Sequence, residues 1–223
     1  MKTIFYTFLL ISFAFVSDQL SAQNIKLKGG LNYSSVSWEY YEDNYSDKYK
    51  YGLGFQLGST VDILLSEYYS IDIGAIIMLR KFKYIKDPTV NNEITYEWNT
   101  KYSRWYCEIP VMLRREFRVK QTRLFGEIGA YTGIGLKGKG ETKIYADGEI
   151  LQEGSSDVTW GTKEGEINRF DFGLGAGIGM VINKLEIGIC YKHGLVNTIH
   201  EEGKTSKNRT FMLNCAYPIF SFK

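Results

Sequence analysis

The sequence contains no apolar run long enough for a membrane-spanning helix, only three prolines, only three cysteines and almost no net charge. Such a helix needs roughly 20 consecutive apolar residues, so a helical membrane protein is excluded. A formal net charge of +2 over 223 residues leaves no basic stripe to displace counterions, so we expect no nucleic-acid partner. With 15% aromatic and 23% charged residues, the chain also differs from long disordered proteins.

The N-terminus is typical of a secretory signal peptide. Lys2 precedes an apolar stretch over residues 4–16, and the small-residue sequence Leu20-Ser21-Ala22 follows it. We therefore expect residues 1–22 to be removed and residues 23–223 to form one mature domain outside the cytoplasm.

The mature chain alternates apolar and polar residues with a period of two, and it shows no helical periodicity. In the clearest stretch, Leu53, Phe55 and Leu57 share one face, whereas Gln56 and Asp62 lie on the other. The pattern predicts eight strands near residues 25–37, 49–64, 69–84, 102–115, 123–137, 169–181, 184–194 and 208–217.

The connections between these strands alternate in length. Short turns are followed by long polar loops at residues 38–48, 85–101, 138–168 and 195–207. This alternation is typical of a transmembrane barrel, so the predicted fold is an all-β, eight-stranded, antiparallel up-and-down β-barrel. Residues 143–151, with a turn at Asp147-Gly148, predict a hairpin within a loop; the alternative is a fifth strand pair and ten strands.

The two faces of the strands differ in charge. No residue on the apolar parity is charged, whereas the opposite parity carries most of the 23 glycines and a nearly balanced set of acids and bases. Water-facing strands gain nothing from glycine, but a narrow barrel interior uses it for room and curvature. We therefore expect the apolar face to meet lipid. A secreted, soluble, lipocalin-like barrel that binds an apolar ligand is the competing hypothesis, and it requires the apolar face to point inward.

The charged interior predicts a cluster near the short turns. Charges in a narrow lumen need partners, so we expect a packed polar plug, with a proton or small-ion path as the alternative. The predicted members are Lys26, Lys28, Asp62, Asp72, Arg114, Glu127 and Glu186.

Aromatic residues gather toward both ends of the strands, which predicts two girdles at the membrane interfaces. The residues assigned to these girdles are Tyr51, Tyr69, Tyr102, Trp105, Phe125, Phe170, Tyr191 and Tyr217.

The cysteines and histidines predict no catalytic, cofactor or metal site. By strand parity Cys107 and Cys215 face outward and Cys190 faces inward, so we expect three free thiols. His193 and His200 lie in no recognisable nucleophile motif. We therefore expect no enzyme and no cofactor, and a lipid-modifying enzyme is a further alternative.

Several motifs resemble the PorT-like group of small outer-membrane β-barrel proteins. They are Gly29-Gly30-Leu31-Asn32-Tyr33, Tyr106-Cys107-Glu108-Ile109-Pro110, Phe170-Asp171-Phe172-Gly173-Leu174-Gly175-Ala176-Gly177 and Tyr191-Lys192-His193-Gly194-Leu195-Val196-Asn197, followed by Asn208-Arg209. The resemblance implies a barrel in the outer membrane of a Gram-negative bacterium, in a family whose members mostly lack a known activity and of which one branch is associated with protein export. Such barrels usually end in an aromatic residue, whereas this chain ends in Lys223, and Pro218 predicts that the last strand stops near Tyr217.

These expectations combine into a functional hypothesis. We expect a monomeric barrel surrounded by outer-membrane lipid, with both termini in the periplasm and a structural or surface-interaction role. Residues 38–47 and 138–168 would form the contact surface at the cell exterior for a protein, glycan or export-machinery partner.

Overall fold

The computed structural model describes residues 23–41, 43–91, 94–120 and 122–221. The predicted signal peptide therefore lies outside the described residues. One short 3₁₀ helix covers Ser46–Lys48, and the other elements are strands. Their bounds are β1 Gln23–Tyr40, β2 Asp43–Asn44, β3 Tyr49–Leu64, β4 Tyr69–Asn91, β5 Ile94–Val119, β6 Thr122–Ala146, β7 Glu149–Asp157, β8 Phe170–Ile182, β9 Leu185–Gly194 and β10 Lys204–Ser221.

Eight of these strands form a closed antiparallel ring in the order β1, β3, β4, β5, β6, β8, β9 and β10. The ring closes between β1 and β10, where Leu31 pairs with Leu213. Within the described residues, β2 pairs only with β1, and β7 only with β6. The eight-stranded barrel is therefore confirmed. The ten-stranded alternative is wrong, because β7 pairs with the part of β6 that continues past the ring and is not a member of the ring.

The two ends of the barrel differ in construction. At one end, tight connections at residues 65–68 and 183–184 join neighbouring strands, and the first and last strands begin and end there, since Asn24 pairs with Ser221. At the other end, the strands continue well past the ring. Most of the predicted loop at residues 85–101 is strand, because β4 reaches Asn91 and β5 begins at Ile94.

The apolar face points outward. Leu53 and Leu57 are 60% and 57% exposed, whereas Gln56 and Asp62 on the alternate parity are only 4% and 6% exposed. A soluble barrel with an apolar interior requires the reverse arrangement. The lipocalin-like alternative is therefore wrong.

Interior glycines allow the sheet to curve tightly. A Cβ atom built on Gly58 would overlap the carbonyl oxygen of Ala75 on the neighbouring strand, and one on Gly129 would overlap that of Val111. By contrast, a Cβ on outward-facing Gly126 would meet its nearest atoms only at 4.0 Å. Side chains at the inner positions would push neighbouring backbones apart, so glycine there sets the curvature.

Two bulges change what the sequence predicts. The β5–β6 register shifts between the Trp105 and Tyr106 pairings, so Lys137, which shares the interior parity in sequence, is exposed. A second shift accompanies Pro218, and β10 continues to Ser221 instead of stopping near Tyr217. Bulges accommodate the extra residue or the missing N–H, and this explains both differences.

Among the residues that the structure describes, no helix is long and apolar enough to cross a membrane.

Candidate functional site

The lumen near the short turns contains a group of ion pairs. Lys26 lies 3.1 Å from Asp62 and 2.9 Å from Glu186. Glu186 also accepts a hydrogen bond from Arg114 at 2.6 Å. These residues come from β1, β3, β9 and β5, so the group ties together strands on different sides of the barrel.

A second pair lies one level further in. Lys28 is 3.3 Å from Asp72. Glu127 is nearly buried and close enough for its charge to act on Lys28, but among the described residues it has no ion-pair partner within 4.0 Å. The structure therefore brings all the predicted interior charges into one half of the lumen, and all except Glu127 into direct ion pairs.

The opposite half of the lumen holds a larger network that we did not predict. Glu108 accepts hydrogen bonds from Arg80 and, at 2.6 Å, from Lys192. Arg80 also bonds Asp171 at 2.7 Å, and Asn208 donates to the same carboxylate at 3.0 Å. Glu108 and Asp171 are 0% exposed and Arg80 is 2% exposed. The network is fully enclosed.

Aromatic rings cover this network on the side of the long connections. The Arg80 guanidinium lies 4.8 Å from the centre of the Tyr106 ring and 5.6 Å from that of Tyr131. Trp160, from the segment between β7 and β8, packs edge-on against Tyr106 at 5.8 Å. Its indole lies against Gly135, where a Cβ would overlap it. The segment thus turns back into the barrel mouth.

Apolar side chains separate the two charged halves. Met78, Cys190 and Met212 form a buried cluster in the middle of the lumen. A cavity beside them measures about 10 Å³, which is about enough for one water molecule. These side chains fill part of the lumen, which favours a packed plug over an open path.

The predicted interface aromatics divide into two groups. Six of them lie on the outer face or at its edge: Tyr51, Tyr69, Trp105, Phe170, Tyr191 and Tyr217. Phe125 and Tyr102 differ from the prediction. Phe125 is 7% exposed and lies inside the barrel, with the Arg114 guanidinium 3.6 Å from its ring centre. Tyr102 stacks on buried Phe82 at 4.9 Å at the inner wall of the barrel mouth.

The outer aromatics form a continuous band that includes residues absent from the prediction. Tyr33 stacks on Tyr51 at 5.0 Å, Tyr51 approaches Phe211 at 5.9 Å, and Phe211 contacts Tyr191 at 4.7 Å. Their outward parity in β1 and β10 is the sequence signal that identifies Tyr33 and Phe211. The band crosses β3, β1, β10 and β9 at one level of the barrel.

The extended strands beyond the ring form a separate surface. We call the four-stranded sheet of residues 85–91, 94–100, 139–146 and 149–157 the outer arm. Its charged outer face includes the Lys139–Glu141 pair at 2.9 Å and the Lys143–Glu153 pair at 3.1 Å. The predicted turn at Asp147-Gly148 is confirmed, since both residues have positive φ angles of 48° and 86°.

The two histidines lie apart from one another in different settings. His193 Nδ1 is 3.2 Å from the Tyr191 hydroxyl on the outer face, whereas His200 lies in the segment between β9 and β10. All three cysteines are free, as predicted. In the described residues, no group of three His, Cys, Asp or Glu side chains is arranged to hold a metal ion.

A closed antiparallel ring with an apolar outer face, an ion-paired interior and connections that are short at one end and long at the other defines a small transmembrane β-barrel. The chain belongs to the family described as outer membrane protein beta-barrel domain, whose profile matches residues 17–200. It is an outer-membrane protein of a Gram-negative bacterium.

Solved structures show a general likeness. Ail, the attachment invasion locus protein of Yersinia pestis, is 16% identical, with 88% of this chain and 97% of that chain covered and a TM-score of 0.38. Neisserial surface protein A is 10% identical, with 89% of this chain and 99% of that chain covered and a TM-score of 0.42. OprG from Pseudomonas aeruginosa is 10% identical, with 88% of this chain and 96% of that chain covered and a TM-score of 0.37. Identities this low show a general likeness of fold and do not extend to function. No curated protein matches the sequence.

Proposed function

We propose that the protein is a sealed outer-membrane barrel that presents its outer arm to a protein partner at the cell surface. The short turns of such barrels face the periplasm and the longer connections face the exterior. By this rule the outer arm projects from the cell. Its strands add about eight residues beyond the ring, which corresponds to about 25 Å of extended chain.

The observation that carries the proposal is the free edge of β7. All nine residues of this strand are exposed, and within the described residues the strand pairs only with β6. A free strand edge is a template on which an extended peptide can pair, and many proteins recognise partners in this way.

The charge of β7 indicates what kind of peptide would fit. The strand carries Glu149, Glu153 and Asp157 and no basic residue. Glu153 is paired with Lys143 on β6, whereas Glu149 and Asp157 form no salt bridge with any residue that the structure describes. An extended, basic segment of another protein would therefore complement it. Electrostatic complementarity of this kind favours encounter and selects against wrong partners.

The hairpin is held in place well enough to serve as a binding edge. Asp147 at its turn accepts a hydrogen bond from the Thr95 backbone N–H at 2.8 Å and donates its own N–H to the Thr95 carbonyl at 3.0 Å. These bonds join the turn to the start of β5. The edge would therefore lose little conformational entropy when a partner binds.

Site-specific photocrosslinking in intact cells tests the proposal. A crosslinker at Gln152 on β7 should give a discrete protein adduct, whereas one at Asn99, on the inner strand β5, should give none. The E149Q/D157Q variant should weaken the adduct at Gln152, because it removes two of the three acids. Equal adducts from both positions, or none from either, would overturn the proposal, and a glycan that binds the same arm would instead appear on a glycan array.

The finer family assignment is also a proposal. The motifs shared with the PorT-like group lie mainly on β1, β5, β8, β9 and β10, and they support membership together with a link to protein export. A deletion strain should then show reduced export of surface proteins. Unchanged export would contradict the link to protein export and would not affect the proposed surface-contact role.

Two further expectations belong to the same proposal. We expect a monomer, which light scattering of the detergent-solubilised protein measures. We also expect no enzymatic role; an activity on lipids that is lost on replacing His193 or His200 would contradict this.

A further inference from the structure

The outer face of the barrel contains an open apolar groove across β8, β9, β10, β1 and β3. Its volume is about 620 Å³. Ala176 is the smallest outward-facing residue in the groove lining, and larger apolar side chains surround it. These are Leu31, Leu53, Ile178, Ile189 and Leu213.

The aromatic band described above borders the groove on the side of the cell exterior. Tyr33, Tyr191 and Phe211 belong to both the band and the groove lining. Since aromatic residues of barrels mark the edge of the hydrocarbon region, the groove extends from that edge into the outer half of the membrane.

Two basic residues follow directly above the groove on the same strand. On the outward parity of β10, Lys207 and Arg209 precede Phe211 and Leu213. Positions two residues apart on a strand are about 7 Å apart, so Arg209 lies about one such step above Phe211. The strand thus presents cations at the headgroup level and apolar side chains below it.

These cations form a group with His193. Arg209 pairs with His193 across β10 and β9, and the charges of both Arg209 and Lys207 act on the His193 ring. The charge of Arg209 also acts on Tyr51 in the aromatic band.

Neither Lys207 nor Arg209 forms a salt bridge or a side-chain hydrogen bond with any residue that the structure describes. Glu39, on the neighbouring strand β1, pairs with Thr205 and makes no ion pair with either. The positive charge is therefore available to an external anion. This contrasts with the lumen, where nearly every charge is matched.

From this arrangement we propose that the surface binds an anionic outer-leaflet glycolipid of the lipid A type. Its phosphate would contact Arg209 and Lys207, and one or more acyl chains would lie in the groove. Arginine and lysine both suit phosphate, arginine through paired hydrogen bonds and lysine as a point charge. Acyl chains in the groove would contact more protein surface than they would on a smooth barrel wall.

The test compares lipid binding by full-length protein variants, using native mass spectrometry and titration in detergent. Lipid A that carries phosphate should bind the K207Q/R209Q variant about tenfold or more weakly than the wild type, because each interfacial cation contributes to anion attraction. The control is K81Q/K83Q. It removes the same charge from exposed outward positions on β4, a strand that contributes no residue to the groove lining, and should bind like the wild type.

The lipids themselves separate the contributions. Dephosphorylated lipid A should bind the wild type more weakly and should not distinguish the variants. Phosphatidylglycerol should bind more weakly than lipid A because its two chains and smaller headgroup use less of the site. The A176F variant, which fills part of the groove, should weaken lipid A binding while the heat-modifiable gel mobility shows that the barrel still folds.

Equal binding of phosphorylated and dephosphorylated lipid A, or equal loss in the two double variants, would overturn the proposal. Phosphatidylglycerol binding as tight as lipid A would also overturn it and would indicate general interfacial attraction. The outer arm takes no part in these measurements, so failure here leaves the proposed surface-contact function untouched.

Discussion

Arg80 on β4 donates a hydrogen bond to Asp171 on β8, across the lumen, at 2.7 Å. In the ring, β5 and β6 separate these two strands. The bond therefore joins opposite walls of the barrel, and it is enclosed by protein on all sides because Arg80 and Asp171 are 2% and 0% exposed. The consequences for stability and permeability can be measured.

Replacing Glu108 should destabilise the barrel. Glu108→Gln leaves Arg80 with Asp171 as its ion-pair partner and leaves Lys192 with none among the described residues. Breaking a buried ion pair costs about 3–5 kcal/mol. Urea unfolding in lipid vesicles should show this loss. The control is Glu141→Gln on the outer arm, whose partner Lys139 is 47% exposed, and it should unfold like the wild type. Similar behaviour of the two variants would show that the luminal network contributes little.

Phe125 should behave as a core residue, despite its predicted place in a girdle. It packs between Arg114 and the backbone at Gly179 and Gly188, so Phe125→Ala should lower the free energy of unfolding by about 3–5 kcal/mol. Tyr217→Ala, on the lipid-facing side, should cost clearly less. The comparison is made by equilibrium unfolding, and a larger effect at Tyr217 would contradict the interior position of Phe125.

Glycines that curve the wall should not tolerate a methyl group. Gly58→Ala places a Cβ against the Ala75 carbonyl, so we expect a loss of about 3 kcal/mol or failure to fold. Gly126→Ala, where the added atom has room, should be neutral or slightly stabilising, since alanine restricts the unfolded chain. Heat-modifiable mobility and urea unfolding distinguish the two. A harmless Gly58→Ala would mean that the sheet can relax around the new atom.

The lumen should be closed to ions. Planar-bilayer recordings of the wild-type protein should show no large, stable conductance. Trp160→Ala removes the ring above Tyr106 but leaves the ion pairs of Arg80 and Lys26 in place beneath it, so this variant should also stay closed. Stable conductance in the wild type would contradict the plug, and conductance only in the variant would show that Trp160 is the main barrier.

The ring could be predicted from sequence because each membrane strand separates an uncharged face from a charged one, and the period of two survives along its length. Outside the membrane this signal weakens. All nine residues of β7 are exposed, and its two apolar residues, Ile150 and Leu151, are adjacent and therefore on opposite faces. The strand shows no alternation that would distinguish it from a loop until the Asp147-Gly148 turn is considered.

The charged network around Arg80 escaped prediction for a different reason. The residues Arg80, Glu108, Asp171 and Lys192 all share the interior parity, but which of them meet depends on how far the strands are staggered, and strand parity says nothing about stagger. Phe125 shows the opposite case. Its parity, shared with Glu127, places it inside, so the strand pattern predicts its position better than its aromatic side chain does.

The cross-lumen bonds also constrain how the barrel can form. Arg80 comes from the N-terminal half of the ring, whereas Asp171 and Lys192 come from the C-terminal half. A half-built sheet in the bilayer would expose their charges to hydrocarbon, at about 2–4 kcal/mol for each basic side chain near the midplane. Insertion and closure should therefore occur together, with the strands entering lipid only as the two halves neutralise each other.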